Sequence, residues 1–341
     1  MRSSPAAHVL SGVVIGSLIL VTLIALAFVV GRFPVSPAEL ATAVWARVTG
    51  RPSGLPGAVE TVVFNVRGPR VLGAVAVGAA LAVAGAAYQG LFRNPLVSPD
   101  ILGVSSGAAL GAVLGIYYSL SVAAIQALAF VFGLAAVAVV YAIGAALGAR
   151  DPVVVLVLAG VVIGTLLGSC VGLVKYLADP YNQLPAITFW LLGSLAGVTA
   201  GDVRAVLPAV VVGLVPLVLV RWRMNVMTLG DEEAQALGVS TQRVRLAVIG
   251  AATLMTAAVV SISGVIGWIG LLVPHFARLL VGPDFGRLLP VAMLLGSAYL
   301  LGVDTLARTL APIEIPLGVL TAVIGAPFFL WLLATSRREW S

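Results

Sequence analysis

The chain has 341 residues, 61% of them hydrophobic and 9% charged, with a formal net charge of +6 and a mean hydropathy of +1.14. A soluble domain carries charge on about a quarter of its residues, so this composition excludes a soluble enzyme and calls for a membrane interior. The basic residues are scattered through loops rather than gathered into a stripe, which disfavours nucleic acid as a partner. Cys170 is the only cysteine, which excludes an intrachain disulfide and a cysteine-cluster metal site.

A helix crossing the hydrocarbon takes about 20 apolar residues. Apolar runs between polar or proline-rich punctuation predict ten spans, near 9–31, 68–91, 99–118, 122–147, 153–177, 204–220, 244–263, 267–281, 286–308 and 315–335. The first follows Arg2 but is longer than a signal-peptide core and lacks a small-residue cleavage pattern, so it reads as a span. The runs near 99–118 and 267–281 are short or glycine-interrupted. Non-helical backbone there has to be buried in protein or line a cavity, and broken segments of this kind often mark a transport route.

Ten spans put both termini on one side. Placing them in the cytoplasm sends Arg93, Arg150, Arg221, Arg223, Arg243, Arg245, Arg278, Arg287, Arg337 and Arg338 there with Arg2, in keeping with the positive-inside rule. Gly85, Pro95 and Gly103 match Gly264, Pro274 and Gly282 at a constant offset of 179 residues. The matched spans, second and seventh, run in opposite directions, so the repeat is expected to be inverted, as in many transporters.

Four features stand out against this background. Gly160, Gly164, Gly168 and Gly172 form a ridge on one face of the fifth span, open to close approach by another helix or by a substrate. Arg67 and Arg70 bracket Gly68-Pro69 at the outer start of the second span; if a helix starts there, their spacing aims both guanidinium groups one way, either at a partner's carboxylates or at lipid headgroups. Asp304 and Arg308 stand at i and i+4 near the end of the ninth span, as an ion pair that lowers the cost of each. Between spans six and seven, Thr228 can cap a short helix with an acidic first turn and Gly238 at its end, a compact cytoplasmic element suited to docking. His8 and His275 are far apart and make no metal constellation. Lys175, the only lysine, is flanked by Val174 and Tyr176, so the chain has no phosphate-binding Gly-Lys-Ser/Thr loop of its own.

Several longer motifs carry a specific likeness: Arg67-Gly-Pro-Arg70, Gln89-Gly-Leu-Phe-Arg-Asn-Pro-Leu96, Ser98-Pro-Asp-Ile-Leu-Gly-Val-Ser-Ser-Gly107 and Trp190-Leu-Leu-Gly-Ser-Leu195. They are followed in order by Leu229 to Gly238, Ser263 to His275, Asp304-Thr-Leu-Ala-Arg308 and Glu314 to Phe329. The chain after residue 60 resembles the ferric-siderophore, haem and cobalamin permease family, often called FecCD.

That resemblance implies an all-α, type II importer permease forming one transmembrane domain in the inner membrane of a bacterial or archaeal cell. Its partners would be a second permease copy, two cytoplasmic subunits that bind ATP and Mg, and a periplasmic or lipoprotein substrate-binding protein. This chain would bind no cofactor and carry no enzyme activity. By position, Arg67, Arg70 and Arg308 match arginines that receive acidic residues of the binding protein. Leu229, Gly230, Asp231, Glu232, Glu233, Ala234, Leu237 and Gly238 match the coupling helix that fits an ATPase groove. The fifth and tenth spans match the helices lining the pathway. Val153 and Val154, in the loop from Arg150, stand where some members place small hydroxyl residues at the inner gate. The cargo expected is an iron-siderophore-type chelate; haem, cobalamin and molybdate are alternatives within the family, and an ion-coupled carrier is the alternative from another class.

Overall fold

The computed structural model describes residues 5–147 and 152–336. The chain enters through α1 (Pro5–Val29) and α2 (Pro37–Thr49). Next, α3 (Gly57–Glu60) runs through a π-helical turn (Thr61–Arg67) into α4 (Gly68–Leu91). A 3-10 turn (Pro99–Leu102) leads to α5 (Val104–Tyr117), α6 (Val122–Leu147) and α7 (Pro152–Leu177). The short α8 (Gln183–Leu191) precedes α9 (Ala200–Leu219), α10 (Arg221–Met227) and α11 (Asp231–Ala236). The last four are α12 (Thr241–Ser263), α13 (Ile269–Val281), α14 (Phe285–Ala307) and α15 (Leu317–Ser336).

Seven of the described helices are long and apolar enough to cross a membrane, and three shorter apolar ones correspond to α5, α13 and α15. Together they match the ten expected spans with shifts of a few residues at the ends, except that the second begins at Gly57 rather than near residue 68. Their roles divide by burial. The apolar windows of α4, α12 and α14 are 83%, 72% and 61% buried inside the protein, whereas those of α1, α6, α7 and α9 are all below 30%. The first three form the centre, and the second group presents its apolar surface outward, where lipid or another subunit can meet it.

The centre is built by close backbone approach. Lipid tails are as apolar as leucine side chains, so helices in a membrane associate through van der Waals packing of small residues rather than through hydrophobic exclusion. In α4, alanine and glycine fill half of the buried positions. A Cβ on Gly78 would collide with the Gly296 carbonyl of α14, and one on Gly296 with the Gly78 carbonyl; Gly85 sits in the same way against Gly270 of α13.

The two breaks are at least partly buried against other segments, apart from exposed Asp100, as the polarity of backbone requires. The 3-10 turn ends on Gly103 at φ 82°, and its Ile101 carbonyl packs on Gly160. Between α12 and α13 the chain unwinds over 264–268. Beside it, the Ser194 N–H donates to the Ser263 carbonyl at the end of α12 (2.8 Å), and the first N–H groups of α15 donate to the irregular segment after α8, Leu317 to Gly193 (2.9 Å) and Gly318 to Leu192 (2.9 Å). Trp268 adopts φ 72°, uncommon for a bulky residue, with its ring against Gly325 and edge-on to Phe329.

Three expectations change. α2 and α8 were not anticipated, because neither is an apolar run of span length; yet Ser36 and Glu39 form a complete capping box at the start of α2 and Gly50 closes it in the left-handed conformation. No helix starts at Gly68, since α3 and the π-helical turn run on into α4. Both halves do follow the order long helix, break, short apolar helix, long helix, but the offset of 179 does not mark equivalent residues. Gly85 lies inside α4 whereas Gly264 lies beyond the end of α12, and Pro95 lies in a turn whereas Pro274 lies inside α13.

Gly78→Val should force α4 and α14 apart and lower the melting temperature in detergent by several degrees, since overpacking a tight core costs about 1–3 kcal/mol. Gly172→Ala, where a methyl group meets open space, should leave the melting temperature unchanged in the same assay.

Candidate functional site

At one end of the bundle, five charged side chains from distant parts of the sequence meet. Arg70 lies within the first turn of α4 and is 9% exposed. Its Nε donates to both carboxylate oxygens of Asp304 (3.0 Å each) and its Nη2 to Oδ1 (2.7 Å). The other side of the same guanidinium grips Glu314, Nη1 to Oε2 at 3.0 Å and Nη2 to Oε1 at 2.7 Å. The planar fork of arginine suits two such bidentate partners. Asp304 is 1% exposed, and a carboxylate so buried is tolerable only when paired.

Arg308, at the end of α14, completes the group. Its Nε lies 3.8 Å from Asp304, while its Nη2 donates to the Ala27 carbonyl at 2.7 Å. The i, i+4 ion pair foreseen for Asp304 and Arg308 is therefore present, but as the longer of two contacts: Arg70 holds Asp304 more closely.

Arg67 is 4% exposed. It points not alongside Arg70 but toward the end of α1, where Nη1 donates to the Phe28 and Val29 carbonyls and Nη2 to the Phe33 carbonyl. The common aim foreseen for Arg67 and Arg70 fails because the helix does not start between them and Arg67 closes the π-helical turn. The three arginines nonetheless converge on one region, since Gly31 lies between the guanidinium groups of Arg67 and Arg308.

Near the other end of α4, α11 forms a small platform. Gly230, at φ 129°, precedes it, so the cap expected from Thr228 is absent; the Thr228 hydroxyl donates to the Asn225 carbonyl instead, closing α10. Asp231 is drawn inward to the buried Arg245 of α12 (2.7 Å), and Ala234 is fully buried. Glu232, Glu233, Leu229 and Leu237 remain exposed, and Gly238, at φ 80°, ends the element as expected. Asn225 ties α10 to the head of α14 through Asp284 (2.6 Å) and the Phe285 N–H (2.7 Å). Beside this platform a cavity of about 350 Å³ is lined by Gln89, Arg93, Asn225, Arg278 and Phe285, among others. Gln89 accepts a hydrogen bond from Arg278 and donates to the Gly270 and Leu271 carbonyls.

The glycine ridge of α7 divides in two. Gly160 is taken up in packing against the 3-10 turn, and Gly164 lies near Gly103 and Ser106. Only Gly168 and Gly172 face open space. At the start of α7, Val153 is half-buried and Val154 exposed; Arg150 lies outside the described residues. Among the described residues, no group of three or more His, Cys, Asp or Glu side chains is placed to hold a metal ion.

A family model described as the FecCD transport family matches residues 18–335. The chain belongs to that family. It is 38% identical over 322 residues to the molybdate import system permease protein MolB of Haemophilus influenzae, covering 94% of this chain and 95% of that one. It is 44% identical over 281 residues to the cobalamin import system permease protein BtuC of Halobacterium salinarum, covering 82% and 75%. Among solved structures, a metal-chelate type ABC transporter in an inward-facing conformation superposes with a TM-score of 0.85 at 36% identity, covering 95% of this chain and 98% of that one. This FecCD chain is thus an integral membrane protein with the fold of an ABC importer permease.

Glu314 was visible only as part of a motif, and nothing in the sequence pairs it with Arg70, 244 residues away. Arg70→Met should lower stability by about 3–5 kcal/mol by stranding the buried Asp304 charge. Adding Asp304→Asn should restore the greater part of it, as read from thermal unfolding of the detergent-solubilised permease.

Proposed function

We propose that this FecCD permease carries an iron-siderophore-type chelate inward, working as a homodimer with two ATPase subunits and a substrate-binding protein. The carrying observation is the exposed face of α7. It is apolar, with Val154, Leu158, Val161, Leu166 and Leu173 each about half exposed or more, and smoothed at Gly168 and Gly172. Paired with the same face of a second copy and with α15, it makes a weakly polar path that passes a large chelate along without holding it.

The arginine end then lies outside, where the binding protein docks, and α11 lies in the cytoplasm, with both termini. Exposed Leu229, Glu232, Glu233 and Leu237 give each ATPase an apolar and acidic surface, and the Arg245–Asp231 pair passes its movement into α12. ATP closure pulls on α11, and the α7 and α15 faces open to one side at a time. The ATP and Mg belong to the partner subunits, and no step alters the substrate chemically.

A second cargo has a specific observation in its favour, because one relative matched over 94% of this chain is a molybdate import permease, beside another matched over 97% that is a Fe(3+)-citrate import permease. The two readings separate by transport. Proteoliposomes holding permease, ATPase and loaded binding protein should accumulate radiolabelled ferric siderophore with ATP and ignore molybdate and cobalamin. Glu232→Lys/Glu233→Lys should abolish ATP-dependent uptake and ATPase co-purification while the permease still folds. Uptake of molybdate in place of the chelate would replace the cargo assigned here, and uptake without any ATPase would return the ion-coupled reading.

A further inference from the structure

Arg70 is held by two carboxylates of unequal permanence. Asp304 belongs to a regular helix, is 1% exposed and has Arg308 as a second cation. Glu314 belongs to the irregular segment between α14 and α15, and its side chain is 22% exposed. Among the described residues, the only other hydrogen bond to its carboxylate is a long one, from the Ser194 hydroxyl at 3.4 Å. The segment that carries it shows apolar side chains to the outside, Ile313 at 81% and Leu310 at 60% exposure.

We propose that Glu314 is an internal stand-in for a carboxylate of the docking protein, and that docking displaces it from Arg70. The inference rests on the reading of this end as the binding-protein surface. The donors that an incoming carboxylate needs, Nη1 and Nη2 of Arg70, are the ones Glu314 occupies. A carboxylate that replaces Glu314 restores the same bidentate geometry and leaves Asp304 paired, so the exchange strands no buried charge. Three arginines against two acids leave the cluster with one positive charge in excess, which draws an acidic surface toward it.

The displaced residue lies three positions before α15, whose first N–H groups bond to the Gly193 and Leu192 carbonyls. Release of Glu314 therefore loosens the lead into a helix assigned above to the pathway. Docking outside is turned into freedom at α15 by exchange of one carboxylate for another. The exposed Ile313 and Leu310 supply apolar contact to the same partner once the segment is free.

The test uses the full-length permease in lipid nanodiscs with its loaded binding protein. A spin label at Ile313→Cys, in a Cys170→Ser background, reports on the segment. In the otherwise unaltered chain the label should be restrained alone and become mobile, or shift to a new distinct environment, when the binding protein is added. In Glu314→Gln the label should be released before docking, and the binding protein should bind about tenfold more tightly because no internal carboxylate competes. A label unmoved by binding, or a Glu314→Gln chain that binds no better, overturns the displacement while leaving the docking surface standing. No binding to the unaltered chain overturns the docking reading and the proposal with it. Should Glu314→Gln fail to fold, the label in the unaltered chain decides alone.

Discussion

α4 and α14 touch at two places that differ in chemistry and depend on each other. In the middle of the bundle, Gly78 and Gly296 bring the backbones so close that neither tolerates a Cβ. At the end, Arg70 reaches across the same helix pair to Asp304. Without the close crossing, the guanidinium would not lie within hydrogen-bond reach of a carboxylate that is itself sealed from water. Without the ion pair, two buried charges would be stranded, at a cost that a small-residue contact cannot offset. The remaining helices are arranged around this pair: α12 and α13 against α4, α1 against α14, and the more exposed α6, α7 and α9 outside.

Building the centre from glycine and alanine has a consequence for movement. Small residues give close, smooth contacts with few interlocking side chains, and the breaks at the 3-10 turn and at 264–268 sit beside them. The irregular segment around Gly193 bonds to the end of α12 at Ser263 and to the start of α15 at Leu317 and Gly318. An importer that opens to one side at a time needs such joints, and it needs them satisfied, because an orphaned peptide group inside the bilayer costs several kcal/mol. Trp268 stands at one joint in a conformation a large residue seldom adopts, held by Gly325 and Phe329 of α15. It links the broken α13 to the last helix.

The two ends of the bundle share a construction rule. At each, a buried arginine holds a carboxylate carried by a short or irregular segment: Arg70 with Glu314 at one, Arg245 with Asp231 at the other. Both anchor residues belong to central helices, α4 and α12, and both carboxylates belong to surface elements. Each pair ties a surface element to the centre of the bundle through one buried contact.

The ten spans were legible in the sequence because the length and apolarity of a membrane helix are set by the bilayer, a constraint that acts on each segment alone. Gly238 as the end of α11 is local in the same sense, since a left-handed turn depends on a few neighbouring residues; the Ser36–Glu39 capping box is as local, yet α2 was not anticipated from it. The family followed from ordered motifs. What the sequence could not carry was direction and partnership. Arg67 and Arg70 diverge because a π-helical turn precedes α4, and the four glycines of α7 split into two packed and two open because the 99–103 segment folds back onto only half of the helix. Glu314 lies next to Arg70 only because α14 returns alongside α4. Those facts come from which surfaces meet, and packing between segments hundreds of residues apart is decided by tertiary structure alone.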